Sequence, residues 1–404
     1  MTQIINGGIV IIGGGQAGGW AAKTLRDEGY QGTLSVISDE AHDFYERPPL
    51  SKAALKQADF SLSRLFSEED TAALNITWYR PLRATAIDSQ HKQVLLSDGR
   101  AISFDKLLIA TGGRARYLSS DWQSHPRVFT LRSWDDAQHL REAMLKADNI
   151  AIIGGGWIGL EVAASARQMG LDVTVFERQT RLCQRSVPAS VSDALMQRHQ
   201  QAGVNIITDC GDICLDETTD SLSISCDKQA SQCFDIAVMG IGVELNLELA
   251  SEAGLELAHG IVINGQGQTS HPDIYAAGDV ACHPTLSLCL QSWAYAQNQA
   301  ISTAKAMLNA HSEPFSDLAW LWSDQYQDNI QILGIPTAEA TQHIQRITPN
   351  SEIYFSLNQN NELIQMVSFN DARAIKLGKR WMQNNRKLSP TELADPNFSL
   401  MSLK

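Results

Sequence analysis

Ile9-Val10-Ile11-Ile12-Gly13-Gly14-Gly15-Gln16-Ala17-Gly18 opens the chain's informative region, and Ile150-Ala151-Ile152-Ile153-Gly154-Gly155-Gly156-Trp157-Ile158-Gly159 repeats its grammar. In each, a short apolar strand breaks into a glycine turn and starts a helix. The first glycine (Gly13, Gly154) makes the tight turn. The second (Gly15, Gly156) lets backbone approach a pyrophosphate at the positive helix N-terminus. The third (Gly18, Gly159) lets helix and strand pack closely. An acidic residue follows each run at the spacing, about 20 residues, where a carboxylate meets a ribose hydroxyl. Leu34–Ile37 ends at Ser38-Asp39-Glu40, and Val173–Phe176 ends at Glu177. Two such units imply two dinucleotides. Glu177 repels a 2′-phosphate, which predicts a preference for NADH over NADPH, although Arg178 follows directly.

The chain has 404 residues, enough for two or three domains. It is 44% hydrophobic and 19% charged, with a formal net charge of −13, which argues against nucleic acid as a partner. No apolar run reaches the roughly 18 residues a spanning helix needs. The segment Met1–Gly8 lacks a basic region, so no signal peptide is expected and the location is expected to be cytoplasmic. Seven cysteines are present, none in a CxxC pair and none in the first 180 residues. They are expected to be free thiols without a metal site. Cys282 and Cys289 flank a loop, and unrelated thiols are the expected reading.

Further elements follow from local pattern. Helices are expected near Gly18–Glu28 and over Trp293–Leu308. Asp98-Gly99 marks a hairpin between Val94–Ser97 and Ile102–Phe104. Pro48 and Pro49 make a rigid platform. Leu107–Ala110 is a buried parallel strand, and Arg114–Arg132 a polar connection. Strand is expected over Gln200–Ile207, Ser221–Cys226 and Asp235–Met239, the last ending at Gly240-Ile241-Gly242. Thr269–Asp279 reads as a strand that places Asp279 on a glycine turn at the start of a helix. Ile353–Leu357 and Leu363–Phe369 pair around Asn358–Asn361. The fingerprints lie about 140 residues apart, too far for one sheet, so the second nucleotide domain is inserted into the first, which resumes near Glu244.

The set GGGQAG, ERPPLSK, LLIATGG, GGGWIGLE, HPDIYAAGDVA and WLWSDQY resembles the FAD-dependent ferredoxin–NAD(+) reductase components of bacterial aromatic-ring-hydroxylating dioxygenase (Rieske oxygenase) systems. The likeness runs from Ile9 to the C-terminal tail. ERPPLSK with WSDQY is its narrow part. The resemblance implies an α/β, glutathione-reductase-like fold: two Rossmann-type dinucleotide-binding domains and an α+β C-terminal domain. FAD would take residues 1–113 and 244–318, NADH residues 114–243, and the C-terminal domain residues 319–404. Electrons would pass from NADH through FAD to a [2Fe–2S] ferredoxin, and so indirectly to a Rieske-type terminal oxygenase.

By the same resemblance, Gly13, Gly15, Ala17 and Gly18 cradle the FAD pyrophosphate and Asp39 with Glu40 meets its ribose. Arg47, Lys52, Ala84, Thr111, Gly112, Arg132, Asp279 and Trp293 match other FAD contacts. NADH would take Gly154, Gly156, Ile158, Gly159 and Glu177, with Gly240 and Gly242 on the nicotinamide ribose side. Lys52 and Glu161 are the titratable pair expected at the junction of the two rings. Either they orient the carboxamide and steady the reduced flavin, or they form a structural ion pair. Trp157 either covers the empty nicotinamide pocket or packs on the neighbouring helix. Trp320 and Trp322 either cover the flavin at the ferredoxin dock or serve as strand core. The acid-free segment Ala372–Lys387, with Arg373, Lys376, Lys379, Arg380, Arg386 and Lys387, either steers an acidic ferredoxin or is a solvated basic face.

The residues leave other readings of the same fold. An NADH oxidase or peroxidase would carry a cysteine near Phe44 and Tyr45, and none is there. A rubredoxin or monodehydroascorbate reductase needs the same two sites. A non-catalytic NADH-sensing flavoprotein is the reading from a different class.

Overall fold

The computed structural model describes residues 4–216, 222–283, 285 and 288–403. The chain divides into two compact units. The first comprises Met1–Glu46, Leu62–Arg114 and Glu244–Asp317. The second comprises Arg47–Ser61, Ala115–Val243 and Leu318–Lys404.

The first unit is built on a five-stranded parallel sheet. Its order is Ile274–Ala276, Lys106–Ile109, Ile9–Ile12, Leu34–Ile37 and Thr77–Tyr79. The strand that feeds the first glycine turn is therefore central. Its four residues are all buried, as a strand covered on both faces requires. Helix Gln16–Asp27 begins two residues before the expected start, directly at the glycine turn. It packs with helix Trp293–Leu308 through Ala17, Ala21, Leu25, Ala296, Ala300, Ala304 and Met307. The small alanines let the two helices approach closely. A smaller sheet carries the expected hairpin, Gln93–Leu96 against Ala101–Ser103, with Gly99 at φ +86° in the turn.

The second unit repeats this sheet. Its order is Val128–Phe129, Ile236–Met239, Asn149–Ile153, Asp172–Phe176 and Asn205–Ile207, all parallel, and again the glycine-bearing strand is central. Two expectations are corrected here. The supposed connection Arg114–Arg132 holds a helix, Ser120–Ser124, and the edge strand Val128–Phe129. The strand expected over Gln200–Ile207 is shorter, Asn205–Ile207, because helix Ala189–Gln201 runs into its start. A second helix, Trp134–Met144, starts at a capping box in which Ser133 and Asp136 bond each other's backbone N–H. Leu222–Cys226 belongs to a separate antiparallel sheet with Ile213–Asp216 and Gln229–Phe234. Ser221 lies outside the described residues.

The same unit ends in a five-stranded antiparallel sheet, ordered Trp320–Gln325, Asp328–Gly334, Leu363–Phe369, Ser351–Leu357 and Gln342–Thr348. Helix Ala372–Gln383 buries Ala374, Ile375, Leu377 and Trp381 in the cluster that includes Leu333, Phe355 and Met366. Buried Arg346 donates to the backbone carbonyls of Leu393, Asp395, Pro396 and Phe398, fastening the tail. Among the described residues, no helix is long and apolar enough to cross a membrane.

Candidate dinucleotide sites and a lysine–glutamate pair

The two glycine turns share one geometry. Gly13 has φ +124°, and a Cβ there would lie 2.1 Å from the Ala110 carbonyl oxygen. A Cβ on Gly18 would lie 2.0 Å from the Gly13 oxygen. In the second turn, Gly154 has φ +106°, and a Cβ on Gly159 would lie 2.1 Å from the Gly154 oxygen. Both the conformation and the clearance exclude any larger residue. Gly15 and Gly156 sit at the N-caps, with no side-chain cap and no acid in either first turn. A Cβ on Gly156 would meet nothing closer than 3.9 Å, so this position faces open space. Uncapped N–H groups beside a cleared backbone suit a pyrophosphate, and a dinucleotide fits both turns.

In the first unit, Ala17 is buried, and a Cβ on Gly278 would lie 2.9 Å from its Cβ. Asp39 is exposed at the end of its strand. Glu40 receives the Tyr45 hydroxyl at 2.5 Å. Ala84 starts a strand beside a bulge opposite Leu96. Thr111 exchanges two bonds with Asn246, at 2.9 and 2.8 Å, and Gly112 has φ +59°. Asp279 lies on the short 3₁₀ turn Gly278–Val280. Trp293 opens its helix, and its indole N–H donates to Glu46 at 2.5 Å. Burial pushes the Glu46 carboxyl up, and the indole bond opposes that shift.

In the second unit, the Glu177 carboxylate accepts the Gly155 N–H at 2.6 Å and the Gln179 N–H at 2.7 Å. The acidic residue is thus tied to the glycine turn itself. Arg178 points outward and sits 3.8 Å from Asp212. Ile158 is 48% exposed, unusual for so large an apolar side chain. Gly240 donates to Ile153 O at 2.7 Å, and Gly242 has φ +96° with nothing within 4 Å of a Cβ. Arg47 donates to the Arg132 carbonyl at 2.5 Å, and Arg132 N–H donates to Asp136 at 2.9 Å. Trp157 packs against the apolar cluster of Leu160, Leu182, Val191 and Leu195.

Lys52 and Glu161 are brought together, with Nζ 2.8 Å from Oε2. Lys52 also donates to the Pro48 carbonyl at 3.0 Å, inside the proline platform. Glu161 is 3% exposed, so its charge is removed from water and must be matched by partners. Ser51 Oγ donates to Oε2 at 2.5 Å and Ser323 Oγ to Oε1 at 2.6 Å. Neither serine was singled out in the sequence, although both stand in the two narrow motifs, ERPPLSK and WLWSDQY. Trp320 and Trp322 stack with centroids 5.4 Å apart, and the Lys379 ammonium lies 4.7 Å from the Trp320 ring centre. Cys183, Cys210, Cys214, Cys226, Cys282 and Cys289 are free thiols, and burial raises Cys183 beyond any reactive range. Among the described residues, no three His, Cys, Asp or Glu side chains gather as metal ligands.

Residues 7–300 match the family described as pyridine nucleotide-disulphide oxidoreductase, and residues 320–404 match the reductase C-terminal family. A ferredoxin reductase for the CYP199A2 system from Rhodopseudomonas palustris is similar at 33% identity, over 98% of this chain and 100% of that one, with a TM-score of 0.92. Putidaredoxin reductase, solved in covalent complex with putidaredoxin, is similar at 32% identity, over 99% and 98%, with a TM-score of 0.91. A protein described as Fdr9 is similar at 28% identity, over 98% and 99%, with a TM-score of 0.86. The chain belongs to the pyridine nucleotide-disulphide oxidoreductase family, as a flavoprotein oxidoreductase that uses FAD and NAD(H).

Proposed function

We propose that this protein is a ferredoxin–NAD(+) reductase that takes electrons from NADH and delivers them to a [2Fe–2S] ferredoxin serving a Rieske-type aromatic-ring dioxygenase. In this reading it works in the cytoplasm. The ERPPLSK and WSDQY motifs ally it with the reductase of 3-phenylpropionate (cinnamate) dioxygenase. FAD is assigned to residues 1–113 and 244–318, NADH to 114–243, and an α+β domain to 319–404. When bound, FAD and NADH supply the hydride and electron chemistry.

The chain's own residues bind, orient and charge the site. The glycine turns seat pyrophosphates, and Glu177 disfavours a 2′-phosphate. Lys52 supplies a fixed positive charge whose position is set by Glu161 and the Pro48 carbonyl. No CxxC pair exists to relay electrons. The stacked Trp320 and Trp322 and the basic helix Ala372–Gln383 are assigned to the exit side, where positive charge steers an acidic ferredoxin.

The observation that carries the reading is the ion pair of half-buried Lys52 with buried Glu161 in a chain with two dinucleotide-type glycine turns. A rubredoxin or monodehydroascorbate reductase needs the same two sites, and the likeness to ferredoxin reductases at 32–33% identity supports the ferredoxin reading over these and over a signalling flavoprotein. Stopped-flow reduction by NADH and NADPH, followed by mixing with [2Fe–2S] ferredoxins, tests the proposal. Fast reduction by NADH and prompt re-oxidation by a ferredoxin are expected, with Lys52→Met slowing the first step. A colourless protein that refuses FAD refutes it.

A further inference from the structure

Two stretches distant from it in sequence, Ser51-Lys52 and Ser323, converge on Glu161, and the hydrogen bonds continue past Ser323. Gln325 Nε2 donates to Ser323 Oγ at 3.0 Å. Gln325 Oε1 lies 2.9 Å from His199 Nε2, and His199 Nδ1 lies 2.9 Å from the Tyr326 hydroxyl. Ser323, Gln325 and His199 are all buried. Tyr326 holds φ +56°, a left-handed conformation that few tyrosines adopt. A strained backbone at the end of a buried polar chain marks a position held by its surroundings.

The direction of each bond follows from its chemistry. Ser323 has a single hydrogen. It serves Glu161 only if Ser323 receives its other bond from the Gln325 amide. The Gln325 oxygen then faces His199 and accepts, so Nε2 carries the imidazole hydrogen. Burial keeps the ring neutral, with its pKa pushed down to about 4. Nδ1 therefore accepts, and the Tyr326 hydroxyl donates. All donors point the same way, toward the carboxylate. Such a chain polarises cooperatively and presents the positive end of each dipole to Glu161. The Gln325 amide interrupts any simple proton transfer, so the chain orients and does not conduct.

We propose that Tyr326, His199, Gln325 and Ser323 form a one-way positioning chain that fixes the orientation of Glu161, and through it Lys52, for the reductive step. This rests on the role given to that pair above. None of the four is a catalytic residue; each acts through Glu161.

The test uses the full-length, FAD-loaded protein. Ser323→Ala is expected to slow reduction by NADH about tenfold, the scale of one lost bond to a charged group. Tyr326→Phe, further along the chain, is expected to slow it about threefold. In a Glu161→Gln background both effects vanish, because the chain no longer has a carboxylate to orient. NMR of 15N-labelled histidine supplies a second readout, independent of turnover. His199 is expected as the neutral Nε2–H tautomer, and Tyr326→Phe shifts its Nδ1 signal. Equal losses with and without Glu161, or an Nδ1–H tautomer, overturn the proposal. If instead Lys52→Met and Glu161→Gln leave reduction unchanged while the tautomer is as stated, the assigned role of the pair is what fails.

Discussion

Replacing His199 with asparagine is expected to remove a defined part of the protein's acid sensitivity. The imidazole is wholly inaccessible, and burial lowers its pKa from 6.5 to about 4. Between those pH values the unfolded chain holds a proton that the folded chain refuses, so protons favour unfolding throughout that window. The slope approaches about 1.4 kcal/mol per pH unit. Above 6.5 the group is neutral in both states and the folded protein bears no cost; the loss grows as pH falls toward 4. From about pH 7 to about pH 4.5, the two-site expression gives a loss of about 2 kcal/mol from this residue alone. The neighbours facing the ring, Gln325 and Tyr326, do not change charge in that range, and Arg198 beside it stays cationic with its pKa raised. Urea unfolding of the wild type and His199→Asn across this pH range measures the effect. The variant is less stable at neutral pH, having lost two hydrogen bonds, but the gap narrows by about 2 kcal/mol in acid. Every other titrating group contributes alike to both proteins, so parallel curves would refute the reasoning.

Three further outcomes are expected. Glu177→Ala narrows the preference for NADH over NADPH by roughly tenfold or more, because it removes a charge that repels the 2′-phosphate; the ratio of the two reduction rates at subsaturating nucleotide measures this. Arg346→Met removes the guanidinium donor from four tail carbonyls and destabilises the C-terminal sheet by about 2–4 kcal/mol, read as early loss in urea and faster proteolysis near Leu393–Phe398. Charge reversal at Lys376 and Arg380, both exposed, slows association with an acidic ferredoxin and flattens its salt dependence, measured by re-oxidation rates over a range of ionic strength.

What could be read from the chain alone depended on how local its cause was. Both glycine turns and their central strands were legible, because each requirement falls within ten residues. Helix Trp293–Leu308 was equally plain, with Ser292 capping the Tyr295 N–H. Val128–Phe129 was not, since two residues show no alternation even when they complete a sheet. Helix Ala189–Gln201 was hidden by its many polar residues, although Val191, Ala194 and Leu195 are spaced to bury one face. The Lys52–Glu161 pair was expected from the motifs that hold it. Its surroundings were not: Ser51 lies 110 positions from Glu161, and Ser323 lies 162. A lone serine or histidine carries no periodic signal, and only tertiary packing decides that it meets a carboxylate.

The order in which the first unit's pieces leave the ribosome has a cost for the cell. Strand Ile9–Ile12 and helix Gln16–Asp27 emerge early, but the helix that covers them, Trp293–Leu308, is made last within that unit. At about 5–20 residues per second, the wait is roughly 15–55 s. Throughout that interval Ala17, Ala21 and Leu25 lack Ala296, Ala300 and Met307, the side chains that share their cluster. A nascent chain of this design carries an uncovered, alanine-rich helix face for most of its synthesis.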